Sequence, residues 1–588
     1  MMPRLLRNAL PPLLIAVCAL IYFGLYFRCG FNLPDEGSAA LLAKRILDGE
    51  LPIRDLTLGY NVLWFYPITG LFALFGPNLL VMRAWFFLLQ IATAFFASAC
   101  VARISGKRWL GVVAAVLLII IPGPQHKAYI PLIVIANGWC LTRMIFGGED
   151  AMKLAFHSAL GGVALALALL IRIDIGIFLV LLWFGAIALR VCGADWKGRR
   201  AGGLFGGYAA LSAAAFLVHA PVIIDAQRRG FGGDFLEQYP AAARYIGYSL
   251  SEALRPTHPN PSPSAPVAAA PSPASDAPAK AAPAKEEASR ETLARKPLSD
   301  VWKKKQSKHR ALPFLTYAPI AGTAVILAAA ALLLMAFRRE KDSSGYPRFL
   351  AILTVVGAAL TAFPQFYFFR PDIPHLAEFM PGFIVALVCG SAVTALNFAR
   401  AGACLKIAMC APAAFAALHL WVYFAHVFPR VSAGTAALRE GRTALFQGEN
   451  GVHVLLTKGE HEAFRQIHDL VTQNAAPSDY VVCYPYAPGI NFMTNRRTYE
   501  RSLFIDNATR GSKFDEETIA KIERYRPAVI AIDDWKINGS EDSSFSRWAA
   551  PTKSYIEKTY HFRGTFERQQ IFTREPPPPR EVQAAPTE

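Results

Sequence analysis

The chain has 588 residues, of which 54% are hydrophobic and only 18% charged, well short of the roughly 25% charge of a soluble protein. Its formal net charge of +17 could suggest nucleic acid, but no basic helix or aromatic RNA-binding motif accompanies it, which excludes that partner. The apolar residues fall in blocks of about 15–25, the length that crosses a hydrocarbon core of roughly 30 Å. The fold class expected is therefore mainly α: a polytopic transmembrane helical domain, followed by a small extracytoplasmic α/β domain.

In chain order, hydropathy predicts about eleven spans, near 9–27, 80–102, 109–122, 129–146, 154–171, 175–193, 202–224, 313–337, 349–369, 376–398 and 406–428. The third and fourth are short. Arg4 and Arg7 precede the first, and with no small-residue cleavage site after it, a retained span is expected rather than a cleaved signal. Short-loop basic residues set the orientation. Arg4, Arg7, Arg103, Lys107, Arg108, Lys197, Arg199, Arg200, Arg338, Arg339, Lys341, Arg400 and Lys406 all fall on one side, the cytoplasm, and the expected location is a bacterial inner membrane. The loop 28–79 and everything after 429 then lie outside. Asn61–Gly76, opening on Trp64, Phe65, Tyr66 and Pro67, would break that charge pattern as a span and is predicted to lie in the interface.

Four regions follow: a first half of the membrane core over 1–254 with the outer loop 28–79, a Pro/Ala-rich linker with a basic end over 255–312, a second half over 313–428, and the outer domain over 429–588 with a Pro-rich tail. The linker lacks the apolar surface needed to fold. In the outer domain Tyr480–Tyr484 and Ala528–Ile532 read as strands, Glu516–Tyr525 as a helix, and Phe566–Thr573 as a third strand. The nine cysteines have no metal-ligand spacing. Those in the apolar blocks read as small core hydrophobes.

Ionisable groups at membrane depth are costly and mark function. In this topology Asp35, Glu36, Asp55, Arg83, His126, Lys127, Arg172, Asp174, Arg370, Asp372 and His375 gather at the outer ends of spans. Asp35 after Pro34 also suits a helix N-cap. Arg172-Ile173-Asp174 suits an ion-paired turn as well as a binding role. The Tyr484-Pro485-Tyr486 and Asn495–Tyr499 loops suit ordinary packing slightly better than acceptor binding, and Asp533-Asp534 suits a cap or turn.

The run PDEGSAALLAKRILDGELPIRD, the aromatic block after it, and LFALFGPNLLVMRAW resemble the start of the GT-C membrane glycosyltransferases, among them the protein O-mannosyltransferases and lipid A aminoarabinose transferases. The detailed resemblance covers roughly residues 10–105. It implies transfer of a sugar from a polyprenyl-phosphate or diphosphate donor to an extracytoplasmic acceptor, with inversion. Asp35-Glu36 match the family's catalytic acidic pair, Asp55 a less regular acidic position, and Arg83 its basic position at the second span. A base must take the acceptor proton, which assigns Asp35, with Glu36 supporting. Cations must meet the leaving phosphate, and Arg83, His126, Lys127, Arg172, Arg370 and His375 are the pool, with Asp174 and Asp372 supporting. No cofactor is expected; the alternative is Mg²⁺ or Mn²⁺ on Asp35, Glu36 and Asp55. The expected partners are the lipid-linked donor, membrane lipids and an acceptor of undefined chemistry. The competing readings are a transporter or flippase of lipid-linked glycans and a non-catalytic scaffold. The edge-on placement of the charges and the lack of repeated halves count against transport.

Overall fold

The computed structural model describes residues 4–121, 125–147, 150–192, 200–254, 312–339, 345–364, 373–397, 403–428, 440–506, 511, 513–536 and 541–574. Arg370, Asp372, the basic stretch 303–310, the Pro-rich tail and all of the linker but Leu312 lie outside the described residues.

A helix stands at each of the eleven apolar segments: α1 (Arg4–Gly24), α4 (Leu79–Ser105), α5 (Arg108–Ile120), α6 (Tyr129–Ile145), α7 (Ala151–Ile171), α8 (Ile173–Cys192), α9 (Arg200–Arg228), α11 (Leu312–Arg339), α12 (Gly345–Leu360), α13 (Ile373–Asn397) and α14 (Ala403–His426). Between the first two come α2 (Asp35–Leu47) and α3 (Tyr66–Phe75). Five stretches, Leu79–Ser105, Ala151–Ile171, Ile173–Cys192, Ala201–Arg228 and His375–Val393, are long and apolar enough to cross a membrane. Their neighbours α5 and α6 are apolar but shorter. The outward faces are apolar too: Leu20, Phe205, Phe216 and Trp421 are each exposed, a surface suited to lipid rather than water. The protein is a multi-pass membrane protein. Cys100 and Cys140 are buried as expected, whereas Cys192 and Cys410 are exposed.

The ten residues of α3 span about 15 Å at 1.5 Å each, half a hydrocarbon core. It buries Ile68 and Phe72 and exposes Leu74 and Phe75. Helix α10 (Gly232–Leu254) has no counterpart in the hydropathy reading. Its Phe235 packs with Leu51, Val62, Leu170 and Phe231 beneath the outer loop.

The C-terminal region opens with a hairpin of β1 (Ala444–Gln447) and β2 (His453–Leu456). Next comes α15 (Lys458–Asn474), started by a reciprocal Thr457–Glu460 capping box. A four-stranded sheet follows in the order β3 (Val481–Tyr484), β4 (Val529–Asp533), β6 (Gln569–Thr573), β5 (His561–Phe566). Only β3 and β4 run parallel. Helices α16 (Gly489–Thr494), α17 (Phe514–Tyr525) and α18 (Ala550–Thr559) connect the strands. The stretch Phe566–Thr573, expected as one strand, is instead a hairpin turn and its second arm. Glu567 takes a positive φ of 53° there, which reverses the chain.

This region packs directly on the segment between α1 and α4. Gly30 donates its amide to Leu455 O (2.8 Å) and Leu455 returns one to Arg28 O (2.7 Å). Thr57 donates to Arg501 O, and Arg45 Nη1 to Glu500 O (2.7 Å). At the start of α2, Gly37 meets Gly489 so closely that a Cβ at 37 would lie 2.3 Å from the Gly489 nitrogen. Gly489 in turn donates to Leu33 O (2.8 Å). Only glycine at both positions permits this approach.

Candidate active site at the start of helix α2

Asn32, not Asp35, caps α2. Its Oδ1 accepts the Asp35 amide (2.7 Å), while Glu36 Oε2 accepts the Asn32 amide (3.2 Å). The Asp35 carboxylate reaches Tyr486 and His126. Its Oδ1 accepts a hydrogen bond from the Tyr486 hydroxyl (3.0 Å), and its Oδ2 lies 3.5 Å from His126 Nε2. The Asp35 side chain is 40% exposed. Tyr486 follows β3, so a residue of the C-terminal region reaches the acid of the first loop. Burial raises the Tyr486 phenol well above its usual range, so it keeps its proton to donate. Burial lowers His126, against the pull of Asp35, so near neutral pH it presents an uncharged ring to the carboxylate.

Glu36 takes a different part. It is 2% exposed and forms a bidentate pair with Arg83 of α4 (Nε–Oε1 2.7 Å, Nη2–Oε2 2.8 Å). Arg83 is fully enclosed and also donates to the carbonyls of Phe27 (2.9 Å), Cys29 (3.4 Å) and Gly30 (2.6 Å). All five guanidinium N–H donors are thereby taken up inside the protein. Arg83, expected in the phosphate-binding pool, stands here in a buried pairing with Glu36. It ties α2 to α4 and to the chain leaving α1.

The cations lie on the other side of Asp35. Lys127, between α5 and α6, donates to the Tyr60 hydroxyl and has its ammonium 3.8 Å from Glu378 Oε1 and 4.8 Å from the Tyr60 ring centre. Tyr60 stacks on Trp64 (3.7 Å, 10°). Arg172, at the α7–α8 junction, is held bidentately by Asp174 (2.8 and 3.1 Å) with its guanidinium 5.4 Å from the same Tyr60 ring. The two readings of Arg172-Ile173-Asp174 are thus compatible: the ion pair aims the cation at Tyr60. The Glu378 carboxylate and the hydrogen bond to the Tyr60 hydroxyl hold Lys127, and Asp174 holds Arg172, protonated despite burial. His375 stands one turn before Glu378 on α13, 3.9 Å from its carboxylate.

Asp55 pairs with its neighbour Arg54 (2.9 Å) and accepts the Leu51 amide (2.9 Å), and Arg54 holds it below the usual carboxylate range. The metal alternative asks Asp35, Glu36 and Asp55 to converge. Glu36 is committed to Arg83 and Asp55 to Arg54, and among the described residues no three His, Cys, Asp or Glu side chains gather as a metal site. These residues do not fit that ion.

Tyr60 and Glu378 were not among the expected site residues, since nothing in their own neighbourhoods requires chemistry; the Tyr486 loop, which by sequence suits packing slightly better than acceptor binding, brings its hydroxyl to Asp35. The Asn495–Tyr499 loop is packing: Arg496 donates to Ala475 O and Thr494 O, and Arg497 lies over Tyr480. Asp534 accepts the Ser546 amide and hydroxyl (2.9 and 2.6 Å), a turn role. Asp533 is 1% exposed, paired with Arg568 (2.9 Å), and burial pushes it up to about 6. Its pKa is raised on folding, so it favours the folded state when protonated, and that advantage is lost as pH rises from about 4 through 6. Two units correspond to at most about 3 kcal/mol. Asp533→Asn should therefore raise the melting temperature at pH 7.5 and leave it nearly unchanged at pH 4.5; a lower melting temperature at pH 7.5 would refute this.

No protein-family model and no curated protein matches the chain. Among solved structures it is similar to the apo oligosaccharyltransferase of Archaeoglobus fulgidus, at 13% identity over 93% of this chain and 72% of that one, with a TM-score of 0.46. It is also similar to ArnT from Cupriavidus metallidurans. With the form bound to undecaprenyl phosphate, the identity is 13% over 95% of this chain and 97% of that one, TM-score 0.45. With the apo form it is 14% over the same shares, TM-score 0.44. A likeness of this degree says nothing of activity, which has to be read from the residues.

Proposed function

We propose that the protein transfers a sugar from a polyprenyl-phosphate or diphosphate donor to an acceptor hydroxyl on the outer face of the membrane. The observation that carries this reading is the part-exposed Asp35 carboxylate set between Tyr486 and His126, with the Lys127 ammonium within range of its charge and Arg172 beside the same Tyr60 ring as Lys127. Asp35 takes the acceptor proton as the acceptor oxygen bonds to the anomeric carbon. The anomeric carbon–oxygen bond to phosphate breaks, and the departing oxygens gather negative charge. Lys127 and Arg172 stabilise that charge from fixed positions, without reorganisation at the moment of reaction. Attack opposite the leaving group inverts the anomeric centre. The eleven helices in this reading are eleven spans, with the C-terminal region outside and the lipid tail of the donor lying between helices. Glu36 and Arg83 position α2 rather than take part.

Mass spectrometry of lipids extracted from the purified chain tests the donor. A polyprenyl phosphate or diphosphate bearing a sugar is expected. Only ordinary phospholipids, together with unchanged surface glycans after deletion of the gene, would overturn the reading. Tyr486→Phe gives a finer test. It removes one hydrogen bond to a charged group, about 1.5–3 kcal/mol, so turnover with the identified donor should fall roughly 10- to 100-fold with little change in KM. Unchanged turnover would remove Tyr486 from the site.

A further inference from the structure

A second site lies at the far end of the same helices. Pro11, Pro12 and Ile15 of α1, Phe95, Ser98, Ala99 and Ala102 of α4, and Arg108 at the start of α5 line a groove of about 290 Å³. It forms because the three helices do not stay equally close. Deeper in the membrane, Ile15, Ala19 and Phe23 of α1 pack against Phe87, Ala94 and Ile119. Helices α4 and α5 also stay tight, for a Cβ on Gly111 would lie 2.5 Å from Ser98 O. Toward the α1 start, the small side chains of α4 and the two prolines of α1 leave a gap. Ala102 is 19 residues beyond Arg83 on α4, about 28 Å along the axis. The groove is therefore separated from the Asp35 chamber by about the thickness of a bilayer core.

The chemistry of the groove is two-part. Its length is apolar, while Arg108 stands at its outer rim. Arg103 and Lys107 are close to Arg108 in the sequence and, like it, exposed. Helix α5 begins there with no side-chain cap, so its first-turn amides and dipole add to the attraction for an anion. Next to Arg108, Trp109 is 63% exposed, as aromatic residues at a headgroup boundary are. An apolar slot ending in concentrated positive charge at a membrane surface fits one class of occupant. We propose that the groove binds one anionic phospholipid from the leaflet opposite Asp35, its phosphate at Arg108 and an acyl chain along Ala99, Phe95 and Pro12. The site is independent of the reaction at Asp35 and stands or falls by itself.

Native mass spectrometry of the full chain in detergent, titrated with dioleoyl-phosphatidylglycerol or dioleoyl-phosphatidylcholine, tests this. The expected result is one phosphatidylglycerol bound at least tenfold more tightly than phosphatidylcholine. Arg108→Gln should abolish that preference. Ala99→Phe, at an exposed position on the groove floor, should lose the bound lipid while leaving the melting temperature and elution profile unchanged. Equal binding of the two lipids to the wild type, or undiminished phosphatidylglycerol binding in Arg108→Gln, would overturn the proposal. The charge variant decides the matter should Ala99→Phe fold poorly.

Discussion

Asp35→Asn should abolish transfer while leaving the protein folded and inserted. The substitution is close to isosteric, and the amide oxygen can still accept the Tyr486 hydroxyl that now bonds Oδ1. The cap of α2 does not depend on the carboxylate, because Asn32 supplies it, and no buried ion pair is broken, since the side chain is 40% exposed. What disappears is proton affinity. A positioned general base contributes about 10²- to 10⁴-fold, so product measured by mass spectrometry at matched protein levels should fall by at least that lower factor. Full activity in the variant would remove Asp35 as the base. Glu36 is a poor substitute candidate, because both its oxygens are engaged by Arg83 and no acceptor hydroxyl can displace them without unpairing a buried cation.

The helical frame was legible because lipid imposes a long-wavelength signal. Each apolar block had to be a helix of a certain length, and a helix stands at each one. The site was legible as a set of costly charges at loop positions, but not as an arrangement. Lys127 and Arg172 were candidates on cost alone. What makes them a pair is Tyr60, an aromatic residue of ordinary context that both cations approach. Glu378 lies inside an apolar block where no charge balance could be counted before α13 was set beside Lys127. Tyr486 is separated from Asp35 by 451 positions, and its contact exists only because Gly37 and Gly489 let the two regions touch. Arg83 shows what position alone leaves open. Its place at the start of a span suggested a ligand, yet whether an arginine faces a cavity or a carboxylate is decided by packing. The short strands β1 and β2, four residues each, are too brief for alternation to register. Helix α15 carried a usable signal in Thr457 and Glu460, the two halves of its capping box.

Arg83→Ala should fail for a different reason from Asp35→Asn: the protein should lose stability before it loses chemistry. Removing one partner of a buried ion pair strands the other, at a cost of about 3–5 kcal/mol. Here Glu36, 2% exposed, would keep only its bond to the Asn32 amide among the bonds described above. The carbonyls of Phe27, Cys29 and Gly30 would lose a donor as well. Against a total stability of about 5–15 kcal/mol, that loss should lower the yield of monodisperse protein and the melting temperature in detergent. Glu36→Ala should act in the same direction, leaving a buried guanidinium with carbonyls alone. The double variant Glu36→Ala/Arg83→Ala removes both charges, so its melting temperature should lie above the value obtained by adding the two single effects, with a coupling of about 0.5–3 kcal/mol. Strict additivity would show that the two side chains act independently. A stable, monodisperse Arg83→Ala protein that has lost only transfer would return Arg83 to the catalytic set. In the proposed reaction the pair separates two roles that adjacent acids in one loop could have shared: Asp35 for the proton, Glu36 for the frame that holds it.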